Sequence, residues 1–178
     1  MTEQHPLVIT ELRGSVLCIT FNRPDKFNSF NRQLALELQA ALDRAANEAN
    51  IRAVYMTGNG KAFCAGQDLS EAIAPDGPGI QRIVREHYNP VIRMIRSLEK
   101  PVICAVNGVA AGAGANIALA CDIVIAGKSA SFIQAFSKIG LVPDSGGTFT
   151  LPPLIGWQRA SALTLPGATV GADDALAP

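Results

Sequence analysis

Apolar and polar positions alternate over residues 7–12 and 16–21, with Arg13-Gly14 between the two runs. A period of two marks a half-buried strand, and a short glycine-bearing link closes a hairpin. The period then changes. Leu34, Leu38, Leu42 and Ala45 recur at helical spacing, which predicts a helix over residues 31–49 with Asn31 as its N-cap. A short apolar run at 53–57, closed by Gly58-Asn59-Gly60, predicts a buried strand. After a Pro- and Gly-rich loop at 74–79, a second helical stretch covers 80–98, with Ile83, Val91, Ile92 and Ile95 toward the interior. Pro90 lies inside it and should kink or split it. Strands at 102–106, 122–126 and 131–134, a short helix at 113–120 and a last helix from about Trp157 complete the pattern, and residues 171–176 read as the opening of another helix. Strands that alternate with helices define an α/β class whose crossovers bury the sheet. Neither an internal repeat nor a low-complexity tract interrupts the 178 residues, so a single domain over 1–178 is expected.

Charge and composition narrow the function. Fifteen basic and fifteen acidic side chains cancel. That balance gives no basic face for nucleic acid and no polybasic run for an anionic membrane surface. No apolar run is long enough to span a bilayer, and the opening Met-Thr-Glu-Gln-His-Pro lacks a signal-peptide layout, so a cytoplasmic location is expected. Cys18, Cys64, Cys104 and Cys121 form no C-x-x-C pair and read as reduced, mostly buried thiols. His5 reads as part of a frayed terminus and His87 as a half-exposed helix residue; neither has a partner at ligand spacing, which argues against a zinc site or a His-based triad. Trp157 reads as a packing anchor.

Two segments carry candidate chemistry: Lys61-Ala-Phe-Cys-Ala-Gly-Gln-Asp-Leu69 and Asn107-Gly-Val-Ala-Ala-Gly-Ala-Gly-Ala-Asn116. Each runs from strand-like residues through small ones toward a helix. Small side chains let a ligand approach the main chain, and a helix start leaves N–H groups free to donate. Two such donors aimed at one point would hold a thioester oxygen as it becomes negative, which predicts chemistry through an enolate.

Together with Asn22-Arg-Pro24, Pro101-Val-Ile-Cys-Ala-Val-Asn-Gly108 and Pro143-Asp-Ser-Gly-Gly147, these segments form five ordered motifs. In them the chain resembles the crotonase, or enoyl-CoA hydratase/isomerase, superfamily from about Val8 onward. The resemblance implies a fold of repeated ββα units, assembly as a homotrimer or hexamer, a coenzyme A thioester substrate, and no metal or redox cofactor. It implies that the backbone N–H groups of Gln67 and Ala113 form the oxyanion hole, and that CoA is contacted near Lys26, Phe27, Ala65 and Leu69. It also implies a C-terminal helical segment that is missing here.

Within the family, hydratases carry two glutamates where this chain has Asn116 and Phe136. Neither replacement can serve as a general acid or base near neutral pH. Asp144 occupies a position that is glycine in typical hydratases, an arrangement that resembles the isomerases. Asp144 is therefore the candidate base, and a wall of Phe132, Phe136, Ile139 and Leu141 is expected to raise its pKa by desolvation. Without the resemblance, an Asp before Ser-Gly-Gly is a turn former or cap. Asn116, Phe136 and Glu86 are pocket candidates, with a packing role for Asn116 and a solvated one for Glu86 as alternatives. Asp68 reads as a structural cap. The expected function is CoA-thioester isomerisation; a hydratase, a thioesterase and a non-catalytic acyl-CoA-binding protein are the alternatives.

Overall fold

The structure, a computed structural model, describes residues 5–176. The predicted hairpin forms from β1 (Val8–Arg13) and β2 (Val16–Phe21), paired antiparallel from Val8–Phe21 to Arg13–Val16. Helix α1 (Arg32–Asn47) follows, and the Asn31 side chain accepts from the Leu34 N–H at 2.9 Å. A cap of this kind stabilises a helix by about 1 kcal/mol. Leu34, Leu38, Leu42 and Ala45 are all buried, as their spacing requires. Full burial of each leucine contributes roughly 1.5–3 kcal/mol.

Strands β3 (Ala53–Gly58), β5 (Val102–Val106) and β7 (Ile123–Ala126) then add to β2 in parallel, giving one sheet in the order β1-β2-β3-β5-β7. Between them, β4 (Ala62–Cys64), β6 (Val109–Ala111) and β8 (Ser131–Ile133) pair in parallel in a second sheet, which β9 (Thr169–Gly171) extends antiparallel. Each crossover thus places one strand in each sheet before its helical segment: the ββα repeat expected of the family. The α/β class and this architecture are as read from the chain. The division into two sheets was not: β8 falls within the strand expected at 131–134, but three-residue strands are too short to show which sheet they join.

Helix α2 (Leu69–Ala72) follows β4, and α5 (Ala113–Ala120) follows β6 within its predicted bounds. The stretch predicted as one helix at 80–98 is split into α3 (Gly79–Ile83), a π-helical turn (Val84–Tyr88) and α4 (Asn89–Ser97). Pro90 explains the division. It has no N–H to give the Glu86 carbonyl, four residues back. The turn widens so that the Asn89 N–H bonds Val84 O. Gln39 of α1 satisfies the carbonyls left over, donating from Nε2 to Glu86 O at 2.9 Å and to His87 O at 3.3 Å.

Three expectations need correction here. His87 is buried, because the π turn directs it inward; its Nδ1 has no partner among the described residues, and burial holds its imidazole below the ordinary range. Trp157 is 73% exposed and anchors no core. Helix α7 (Trp157–Thr164) begins where expected, but α6 (Gly147–Ile155) precedes it, and Pro152 and Pro153 within α6 mask it as a helix in the sequence. Helix α8 (Ala172–Leu176) is the opening turn expected at 171–176. The thiols are free as predicted, with Cys64, Cys104 and Cys121 buried.

Candidate active site

The register of the second sheet builds the site. Cys64 of β4 pairs with Ala110 of β6, and Ala110 with Phe132 of β8. The carboxyl ends of three adjacent parallel strands therefore lie side by side, which is where open α/β sheets bind ligands. Gln67 follows the first end, Ala113 the second and Asp144 the third.

Gln67 is held by a parallel bridge to Phe30. Phe30 N–H donates to Gly66 O at 2.7 Å, and Asp68 N–H donates to Phe30 O at 2.8 Å. In this bridge Phe30 bonds to the residues flanking Gln67, so the Gln67 N–H points away from it. Ala113 is the first residue of α5, and its N–H lies beyond the reach of the intrahelical ladder. Neither N–H has a protein acceptor among the described residues. Gly66 (φ +88°) precedes one donor and Gly112 (φ +52°) the other. A Cβ on Gly66 would stand 2.8 Å from Ala111 O and 3.7 Å from Ala113 N, so the two donor turns abut. The Gln67 side chain is tied back from them: Tyr88 Oη donates to its Oε1 at 2.9 Å, and its Nε2 donates to Glu71 Oε2 at 2.9 Å. Tyr88 is buried and stacked on Phe30 at 5.4 Å between ring centroids.

Asp144 begins a tight turn in which Gly147 N–H donates back to Asp144 O at 2.9 Å. The central residues, Ser145 and Gly146, both have positive φ. Partial burial raises the pKa of the Asp144 carboxyl, and the Ser145 hydroxyl, donating to Oδ1 at 2.8 Å, partly offsets this. The expected direction holds, but the expected wall does not. Ile139 and Leu141 are exposed, and the Phe136 ring lies 3.8 Å from where a Gly112 Cβ would stand. Ile92 flanks Gly146 instead, and Tyr88 lies close enough for Asp144 to raise its own pKa.

Asn116 is fully buried; its Nδ2 donates to Asp144 O at 2.9 Å and its Oδ1 accepts from Gln134 Nε2 at 2.8 Å. Gln134 and Tyr88 escaped the sequence reading because nothing local in the chain joins them to the site. Glu86 is corrected: Arg82 pairs with it at 2.9 Å and holds its carboxyl below the usual range, which unsuits it to be an acid for the site. Asp68 is the structural residue expected, capping α2 through Ser70 N–H at 3.0 Å and paired with Arg23 at 2.7 Å.

Of the residues expected to touch CoA, Ala65 N–H donates to Phe27 O at 3.0 Å. Phe27 is 52% exposed and Leu69, two residues past Gln67, is 50% exposed; Lys26 is exposed beside Phe27. Such apolar surface next to a pair of unclaimed backbone N–H groups suits a ligand with an apolar body and a polar head. A cleft of about 920 Å³ lies elsewhere, between β7, α6, α7 and α8, and none of Gln67, Ala113 and Asp144 lines it. Among the described residues no cluster of His, Cys, Asp or Glu is placed to hold a metal, and no helix is long and apolar enough to cross a membrane.

Residues 11–177 match the family model for enoyl-CoA hydratase/isomerase. The chain is 46% identical over 171 residues to a 1,2-epoxyphenylacetyl-CoA isomerase of Escherichia coli, covering 94% of this chain and 65% of the relative. It is 48% identical over 165 residues to a Rhodobacter capsulatus protein named as a probable enoyl-CoA hydratase, covering 93% of this chain and 63% of the relative. An enoyl-CoA hydratase structure from Bacillus anthracis superposes with a TM-score of 0.90 at 37% identity, over 95% of this chain and 66% of that one. The chain spans just under two thirds of the length of the two relatives.

Proposed function

This chain belongs to the enoyl-CoA hydratase/isomerase family, and on that premise we propose that it isomerises an acyl thioester of coenzyme A through an enolate held by two main-chain amides. The observation that supports this reading is that the N–H groups of Gln67 and Ala113 lie on abutting turns without a protein acceptor among the described residues, while Asp144, tied to the Ala113 helix through Asn116, has a carboxyl of raised pKa. The thioester oxygen sits between the amides. Asp144 takes a proton from the acyl chain, and negative charge moves to the oxygen. The proton then returns at a different carbon, so no group is added or lost and no metal or redox cofactor takes part. Each amide contributes about 3 kcal/mol to the transition state. One carboxylate suffices because it collects and returns the same proton.

The Escherichia coli relative points to a 1,2-epoxyphenylacetyl group as the acyl part; an enoyl chain undergoing a double-bond shift uses the same charge flow. Lys26, Phe27, Ala65 and Leu69 form the proposed CoA surface, and the acting form is a cytoplasmic homotrimer or hexamer. The Rhodobacter capsulatus relative supports a second reading, hydration. That reading lacks a pair of groups for water, since Asn116 is committed at both ends and Phe136 has no proton to exchange. The test is conversion of 3-hexenoyl-CoA to its conjugated 2-hexenoyl isomer by the protein and by Asp144→Asn. The expected loss in kcat is on the order of 100-fold or more. Undiminished turnover in the variant would remove Asp144 as the base, and steady conversion of crotonyl-CoA to the hydroxyacyl product would favour hydration.

A further inference from the structure

Asn116 has no role as an acid or base, yet it is 0% exposed and both ends of its amide are engaged by residues far away in the chain. We propose that Asn116 is a positioning residue that fixes the Asp144 turn against the helix bearing the Ala113 amide, with Gln134 fixing Asn116 in turn. The inference rests on the reading of Asp144 as the base and of Ala113 as an oxyanion donor.

Three observations carry it. First, Asn116 stands one helical turn along α5 from Ala113, so whatever it holds is referenced to the same rigid element as the donor. Second, Asp144 O receives both the Gly147 N–H and Asn116 Nδ2 at 2.9 Å, which uses both lone pairs of that carbonyl. The turn it closes places a non-glycine residue, Ser145, at φ +52°, a conformation that L-residues disfavour. A turn of that kind persists only when its surroundings over-determine it. Third, the fit is close: a Cβ on Gly147 would lie 2.3 Å from Asn116 Nδ2 and 2.7 Å from its Cγ and Oδ1. Only glycine lets the turn press against this amide.

Gln134 completes the arrangement from the end of β8. It donates to Asn116 Oδ1, and this contact orients the Asn116 amide with its NH₂ toward Asp144. The end of β8, helix α5 and the Asp144 turn are thereby locked together by side-chain amides that carry no charge. A base displaced by about 1 Å relative to its donor loses on the order of 100-fold in rate, so a positioning amide here acts on kcat.

The test uses Asn116→Ser, which is too short to bridge, and Gln134→Leu, which frees the Asn116 amide to turn; thermal unfolding verifies that each is folded. The Asp144 carboxyl is followed in aspartate labelled with carbon-13, with Asp144→Asn identifying its resonance. Titration above the ordinary carboxylate range is expected in the unsubstituted protein, with a return toward that range in Asn116→Ser and a smaller one in Gln134→Leu. The kcat for 3-hexenoyl-CoA should fall roughly 100-fold in Asn116→Ser, while the calorimetric affinity for unreactive hexanoyl-CoA stays within about twofold, because the amide donors that bind it are backbone groups. An unshifted carboxyl titration in both variants would overturn the inference whatever the activity. If Asp144→Asn is inactive and Asn116→Ser retains full kcat, the positioning role fails while the base stands. If Asp144→Asn remains active, the reading of the base fails, and the titration still decides whether Asn116 holds the turn.

Discussion

At the scale of single residues, the Asp144 carboxyl is pulled in two directions by its surroundings. Burial raises its pKa and the Ser145 hydroxyl lowers it. A base must be deprotonated to act, so the acid limb of the rate-against-pH profile follows this pKa. Ser145→Ala removes the opposing hydrogen bond. The pKa should rise further and the acid limb should move to higher pH, a shift read from kcat measured across pH with 3-hexenoyl-CoA. The oxyanion side is different because its donors are backbone amides, which no side-chain deletion removes. Gly66→Ala reaches one of them through sterics: φ +88° disfavours alanine, and the new Cβ meets Ala111 O. The expected loss is about 100-fold in kcat. A loss of thermal stability should accompany it, and the fall in kcat should be larger than for Gly112→Ala, where the nearest atom to the new Cβ is 3.8 Å away.

At the scale of elements, the π turn between α3 and α4 is the clearest local departure from regular structure. Pro90 creates it, and Gln39 on α1 makes it tolerable by donating to the two carbonyls it strands. The same turn brings Tyr88 inward, where it reaches the Gln67 side chain, so a helical irregularity supports the proposed oxyanion donor. Gln39→Ala leaves the carbonyls of Glu86 and His87 without that donor. It should cost roughly 1–3 kcal/mol of stability, seen as a lower melting temperature. If the melting temperature is unchanged, the turn does not need Gln39.

At the scale of the whole molecule, several large apolar side chains are exposed. Ile123 and Ile125 of the edge strand β7 are 52% and 56% exposed, and Phe149, Leu154 and Trp157 of α6 and α7 are 80%, 60% and 73% exposed. An unpaired strand edge and exposed aromatics each favour association. The chain should therefore run above monomer mass in light scattering. Ile125→Lys combined with Phe149→Glu should shift it toward monomer. A purely monomeric unsubstituted chain would contradict this.

The periodic elements were determined by the chain itself. The hairpin, α1 with its Asn31 cap and α5 are legible because strand and helix periods, and the cap, are local features. The glycines before Gln67 and Ala113 likewise mark backbone turns without reference to anything distant. What only the tertiary structure decided is which local features meet. The adjacency of the Gln67 and Ala113 turns comes from the parallel register of β4 and β6, and that of the Asp144 turn from the Asn116 amide that holds it, contacts between segments far apart in the chain. Burial of His87, exposure of Trp157 and the Gln134–Asn116–Asp144 chain each depend on a neighbour remote in sequence or on a turn whose direction the chain around it does not reveal. A side chain's period says which face it occupies; what stands opposite that face is set by packing.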